Sequence, residues 1–199
     1  MRFALLFLSS ALTLALPVSP DPGNLIVNGS FEESSINPGT YQDLPPGSTA
    51  ITGWTVTGHV DYVAALWAAS DGKHSLDMDG SACNTRTPTG CLGGVKQSFA
   101  TAAGQKYDVS FDLAGNPFNG PKVKTLKVSA AGQSQNFTFD ITGHSAAHMG
   151  WKTEHWTFTA TAAETTIEFV SADSAPNLSG WGPALDNVIV KPSAAAPAK

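Results

Sequence analysis

Between Tyr107 and Leu113 the chain alternates apolar and polar residues without a break: Tyr107, Val109, Phe111 and Leu113 against Asp108, Ser110 and Asp112. A side-chain period of two is the pattern of a half-buried antiparallel strand, with one apolar face and one polar face. Gly115-Asn116-Pro117 stops it, because Pro117 has no amide for a ladder and turns Asn116 away from helix. So regular a strand belongs in the interior of a sheet. The same alternation recurs at His74–Asp79, Asn136–Ile141 and Glu154–Phe158, and no stretch holds a helical period over a dozen residues.

Further short apolar segments lie at 24–28, 51–56, 59–63, 94–99, 122–130, 165–171 and 184–190, with Gly, Pro, Asn and Asp between them. Ten or eleven short strands with such turns predict an all-β fold, a two-sheet antiparallel β-sandwich of jelly-roll type. Residues 34–50, rich in Ser, Pro and Gly, read as a surface loop, and 51–56 and 59–63 as two strands joined across Thr57-Gly58. In 122–130, Leu126 and Val128 point inward, with Lys124 and Lys127 assigned to solvent. Trp54 and Trp156 alternate with polar neighbours and belong to the core. A chain of 199 residues with 14% charged side chains can bury one sizeable core, and a single β-domain at 24–191 is expected.

The net charge of −5 and the lack of any basic cluster argue against nucleic acid or an anionic membrane surface as partner. Met1-Arg2 and the apolar run Phe3–Leu16 read as a signal peptide over 1–16, followed by a Pro-rich leader at 17–23. No later run reaches the ~18 apolar residues of a membrane span. Export favours pairing the two cysteines, Cys83 and Cys91, as a disulfide closing a short loop. Residues 192–199 read as a disordered Ala/Pro-rich tail.

Several segments together resemble a known family. They are Asn24-Leu-Ile-Val-Asn-Gly-Ser-Phe-Glu32, Ile51-Thr-Gly-Trp54, Val60-Asp-Tyr62, Asp71-Gly-Lys-His-Ser-Leu-Asp-Met-Asp-Gly80, Gly93-Gly-Val-Lys-Gln97, Phe111-Asp-Leu-Ala-Gly-Asn-Pro117 and Gly182-Pro-Ala-Leu-Asp-Asn-Val188. In this order they resemble the domain of unknown function 642, the plant cell-wall and bacterial "choice-of-anchor C" family. The resemblance implies a galactose-binding-like jelly roll akin to carbohydrate-binding modules, and an association with cell-wall polysaccharide and pectin methylesterases. It also implies that Glu32 and Asp186, from the first and last strands, hold a structural calcium ion with nearby carbonyls. No organic cofactor is implied.

Aromatic rings stack on sugar C–H faces while acids and amides bind hydroxyls. Trp67, Trp151 and Trp181, at strand ends or in loops, are candidate ligand residues, with Tyr62 beside Asp61. Asp77, Asp79, Asp112 and Asn116 are candidate polar contacts. If the strands of Asp77/Asp79 and Asp108/Asp112 were neighbours, four carboxylates would line one surface, which a glycosidase could use. A solvated or sugar-facing polar surface is the favoured reading of them. His144 and His148 have helical metal-pair spacing but sit in a loop, and no Gly-x-Ser-x-Gly elbow exists. Asn28, Asn136 and Asn177 lie in glycosylation sequons. The expectation is a secreted, non-catalytic polysaccharide-binding domain. The alternatives are an extracellular matrix protein docking a wall-modifying enzyme and, more weakly, a glycan hydrolase.

Overall fold

The computed structural model describes residues 23–82, 92–173 and 180–194. The expected signal segment, most of the leader, Cys83, Cys91, Asn177 and the end of the tail lie outside the described residues. Eleven strands follow one another: β1 (Tyr41–Leu44), β2 (Thr55–Gly58), β3 (Val60–Val63), β4 (Ser75–Asp77), β5 (Gly94–Ala100), β6 (Lys106–Gly115), β7 (Val123–Ala130), β8 (Gln133–Asp140), β9 (Lys152–Thr159), β10 (Glu164–Ser171) and β11 (Pro183–Pro192). They form a six-stranded sheet, β1-β3-β4-β11-β6-β9, and a five-stranded sheet, β2-β5-β10-β7-β8, with every pairing antiparallel. The fold is an all-β sandwich, and no described residue is helical.

β6 lies inside the first sheet as its alternation requires, between β11 and β9. Its inward Phe111 meets Phe137 of β8 and Phe169 of β10 edge-on, at 5.1 and 5.3 Å between centroids. Rings in this geometry gain about 0.5–1.5 kcal/mol beyond their buried area. The row Leu76, Leu185 and Leu113 continues that inner face across β4, β11 and β6. Trp54 and Trp156 are buried in the core.

Three local expectations are corrected. Residues 24–28 form no strand. They run beside β11 irregularly, with Leu25 N–H on Val190 O at 2.8 Å and Asn24 bonded to both Val190 N and Val188 O. Left-handed backbone at Asn28 and Phe31 breaks any ladder there. The loop at 34–50 contains β1, an edge strand whose pattern is hidden between Pro38 and Pro45. Finally, β2 and β3 do not pair: the chain crosses between sheets at Gly58-His59, β2 joining β5 and β3 joining β1 and β4.

Candidate functional site

Registry gathers most of the chemistry at one end of the six-stranded sheet. Asp43, Asp61, Asp77, Ala184 and Ala114 form a single row across β1, β3, β4, β11 and β6. Asp112 and Asp186 face each other one step inward, with Thr153 of β9 beside Asp112. β9 and β11 both start at this end, so Trp151 and Trp181, just before them, arrive where Asn116 and Phe118 leave β6. The sheet thereby collects Asp77, Asp112, Asn116, Trp151 and Trp181, with Asp79 just beyond β4.

The imagined four-carboxylate surface does not form, because β11 separates β4 from β6. Asp108 sits at the far end of β6, opposite Lys191 and Thr157, and accepts the Ser193 hydroxyl at 2.6 Å. Asp77, Asp79 and Asp112 are buried, against the expectation that they face outward. The segment between β3 and β4 roofs this face. Trp67, 5% exposed, donates its indole N–H to Ser75 Oγ at 2.9 Å, while Trp151 donates to Ala68 O at 2.9 Å. Trp67 therefore offers no ring face to a ligand. Neither does Tyr62, which is fully buried, donates to Phe31 O at 2.7 Å and stacks on His74.

The roof is fastened by carboxylates. Asp112 accepts Ser70 Oγ at 2.5 Å, Thr153 Oγ1 at 2.6 Å and Asn187 Nδ2 at 3.1 Å. Asp186 accepts the amides of Ser70, Asp71 and Asn187 at 2.7–2.9 Å. Glu32 takes the other side of the same loop, accepting the amides of Lys73 and His74 at 2.7 Å. Gly72 lies against the Glu32 carboxylate at φ +65°, where a Cβ would collide with it. Burial, more than these amides can offset, pushes Asp186 up to about 8.

At the sheet end lies a residue that sequence reasoning assigned to solvent. Lys124 is fully buried, and its ammonium donates to Asn119 O at 2.8 Å and to Trp181 O. It thereby ties the loop carrying Phe118 to the segment carrying Trp181. Phe118 is 56% exposed, and Trp181 and Trp151 are half-buried. Lys124 shares parity with the inward Leu126 and Val128, the one sequence signal that marked it as internal. Below it, Asp77 is saturated: Oδ2 accepts Asn116 Nδ2 at 2.7 Å, and Oδ1 accepts the amides of Gly182 and Asp79 at 2.8 and 3.1 Å. Burial drives Asp77 well above the usual carboxylate range, raises Asp79 to about 7 and Asp61 to about 6, and lowers Lys124. These groups are sealed from solvent, and Asp77 is fully bonded as well. They do not form an accessible acid/base pair.

Comparison with known proteins agrees with this architecture. Halomucin of Haloquadratum walsbyi is 32% identical over 192 residues, covering 94% of this chain and 2% of Halomucin, so the chain spans a very small part of that protein. An arabinose-bound GH51 α-L-arabinofuranosidase shares the fold with a TM-score of 0.53 at 11% identity, over 85% of this chain and 26% of that one. A CBM61 module in complex with β-1,4-galactotriose gives a TM-score of 0.47 at 16% identity, over 85% of this chain and 99% of the module. The family model described as "Protein of unknown function (DUF642)" matches residues 24–191, and the chain belongs to that family.

Proposed function

We propose that this domain is a non-catalytic carbohydrate-binding module that works outside the cell on wall or matrix polysaccharide. One observation supports the reading: Phe118, Trp151 and Trp181, from three separate segments, come to the same end of the sandwich, where Asn116 leaves β6 and Lys124 bridges Asn119 and Trp181. An exposed ring at Phe118 and half-buried ones at Trp151 and Trp181, beside fixed amide and carbonyl groups, suit the C–H faces and hydroxyls of a sugar. Asp77 stiffens this end through Asn116 and Gly182. The extracellular setting rests on the Met1–Leu16 pattern and the cysteine pair. No described helix is long and apolar enough to cross a membrane.

A structural calcium ion held by Glu32 and Asp186, carried over from the family resemblance, belongs to this proposal. Glu32 and Asp186 grip one loop, Ser70–His74, from two sides through its amide N–H groups, which an ion would have to displace. Asp186 is a fully buried carboxylate whose charge a hard cation would offset. Loop carbonyls would supply the remaining ligands, and the ion's contribution would be to lock the roof in place.

The test is binding of the folded chain to an array of pectins, galactans, hemicelluloses and celluloses, repeated with Trp181→Ala and Phe118→Ala and after calcium chelation. Binding that both variants weaken, and that falls with the melting temperature on chelation, is the expected result. Silence across the array from a folded protein would sink the module reading, and docking to a wall-modifying enzyme would replace it.

A further inference from the structure

Buried oxygens without partners are costly, and among the described residues three of them share one neighbourhood. They are Asp79 Oδ1, Ser171 Oγ and Asp173 Oδ2, in residues that are 1%, 2% and 5% exposed. The main chain brings them together. Gly93 N–H bonds Met78 O at 2.7 Å and Ser171 N–H bonds Gly93 O at 2.9 Å, so Asp79 and Ser171 each stand one step from Gly93. Asp173, two residues after Ser171, is held by the Thr125 amide on Oδ1 at 2.5 Å, which leaves Oδ2 free. Gly182 packs against Asp79 so closely that a Cβ there would stand 2.7 Å from both its amide nitrogen and its carboxyl carbon.

The neighbouring carboxylates accept well-formed bonds, whereas Asp79 is met only loosely by the Ser171 hydroxyl and the Gly93 amide, contacts that leave its Oδ1 and Ser171 Oγ without a formed hydrogen bond. Asp77 is saturated by amides, and Asp61 accepts the Ser81 amide and hydroxyl at 3.0 and 2.9 Å. Lys124, the nearby cation, spends its ammonium on the carbonyls of Asn119 and Trp181. Its single charge faces Asp77, Asp79 and Asp173.

We propose that Asp79, Ser171 and Asp173 bind a hard divalent cation of the calcium class, at a site separate from Glu32 and Asp186. Two carboxylates and a hydroxyl, with no nitrogen or sulfur donor among them, select such an ion over zinc or copper. A divalent ion would satisfy the three orphan oxygens at once and balance the excess of carboxylate over Lys124. It would sit beneath Trp181, on the segment that Lys124 anchors. The inference does not depend on the carbohydrate reading.

The experiment counts ions. Metal-stripped chain is titrated with calcium and, separately, with terbium, whose emission tryptophan sensitises, and bound ions are counted by native mass spectrometry. Asp79→Asn, Asp173→Asn and Ser171→Ala are compared with Glu32→Gln. Asp79→Asn keeps the side-chain volume and removes a buried charge, so its fold is retained, and Ser171→Ala is a milder second probe. The expected result is loss of one bound ion in each aspartate variant, weakened binding in Ser171→Ala, and retention of this ion in Glu32→Gln. An unchanged ion count in Asp79→Asn and Asp173→Asn would overturn the site, and internal water or a proton would then fill it.

Discussion

Asp112 of β6 and Asp186 of β11 face each other in register, and one residue, Ser70, binds both. Its amide reaches Asp186 Oδ2 at 2.8 Å and its hydroxyl reaches Asp112 Oδ2 at 2.5 Å. Carboxylates directly opposite each other destabilise a sheet unless their charge is met. Ser70→Ala keeps the amide and deletes the hydroxyl. A cost of about 1–3 kcal/mol is expected, since a buried carboxylate oxygen loses a donor. Urea melts would read it; wild-type stability would show that the hydroxyl is dispensable.

The tryptophans separate by role. Trp67→Ala should cost about 3–5 kcal/mol, because it empties a buried ring site and strands Ser75. Phe118→Ala should leave stability within about 0.5 kcal/mol while weakening glycan binding. Thermal melts alongside affinity measurements on both variants check the division. Reversed effects would place the ligand on the roof instead of at the end that carries Phe118.

Lys124→Met should destabilise by about 3–5 kcal/mol, since it leaves buried carboxylates without a counter-charge and unties the Asn119 and Trp181 carbonyls. Adding Asp79→Asn should recover part of the loss. A double-mutant cycle in denaturant measures the coupling, and strictly additive effects would show that Lys124 and Asp79 do not interact.

Stability of the metal-stripped chain should fall as pH rises. Asp61, Asp79, Asp173 and Asp186 are lifted by burial from 3.8 to about 6, 7, 6 and 8. A carboxyl with a raised folded pKa binds its proton more tightly in the folded state. Its stabilising contribution is complete below the unfolded value and disappears as pH passes through the folded one. The decline should therefore run from about pH 4 to about pH 8. Exposed Asp140, held low by Thr142, acts in the opposite sense at the acid end only. Asp61→Asn should flatten the slope between about pH 4 and pH 6 in melts followed by circular dichroism. A flat wild-type profile would refute the assignment.

Much of the fold was legible because a period of two is a local signal. Tyr107–Leu113, β8, β9 and the core placement of Trp54 and Trp156 follow from alternation, and β7, β10 and β11 from short apolar segments between turns. Residues 24–28 misled because apolar composition does not report a left-handed backbone at Asn28 and Phe31. Of the candidate ligand residues, Asp77, Asp112, Asn116, Trp151 and Trp181 come to one end of the six-stranded sheet. Tyr62 and Trp67 do not join them, since a ring near a loop can as easily roof a core as meet a ligand.

By itself the sequence determined the class of fold, the inward and outward parity of most strands, and membership of a family through seven ordered segments. Strand order was a tertiary decision. Inserting β11 between β4 and β6 separated the expected carboxylate surface and set Asp186 opposite Asp112. Burial was another, because the 64–74 roof turned an outward polar row into an enclosed one, and Lys124 entered the interior only where carbonyls from two loops could receive it. Alternation fixes which face a side chain takes, whereas what covers that face depends on contacts between residues distant in the chain, and those have no period.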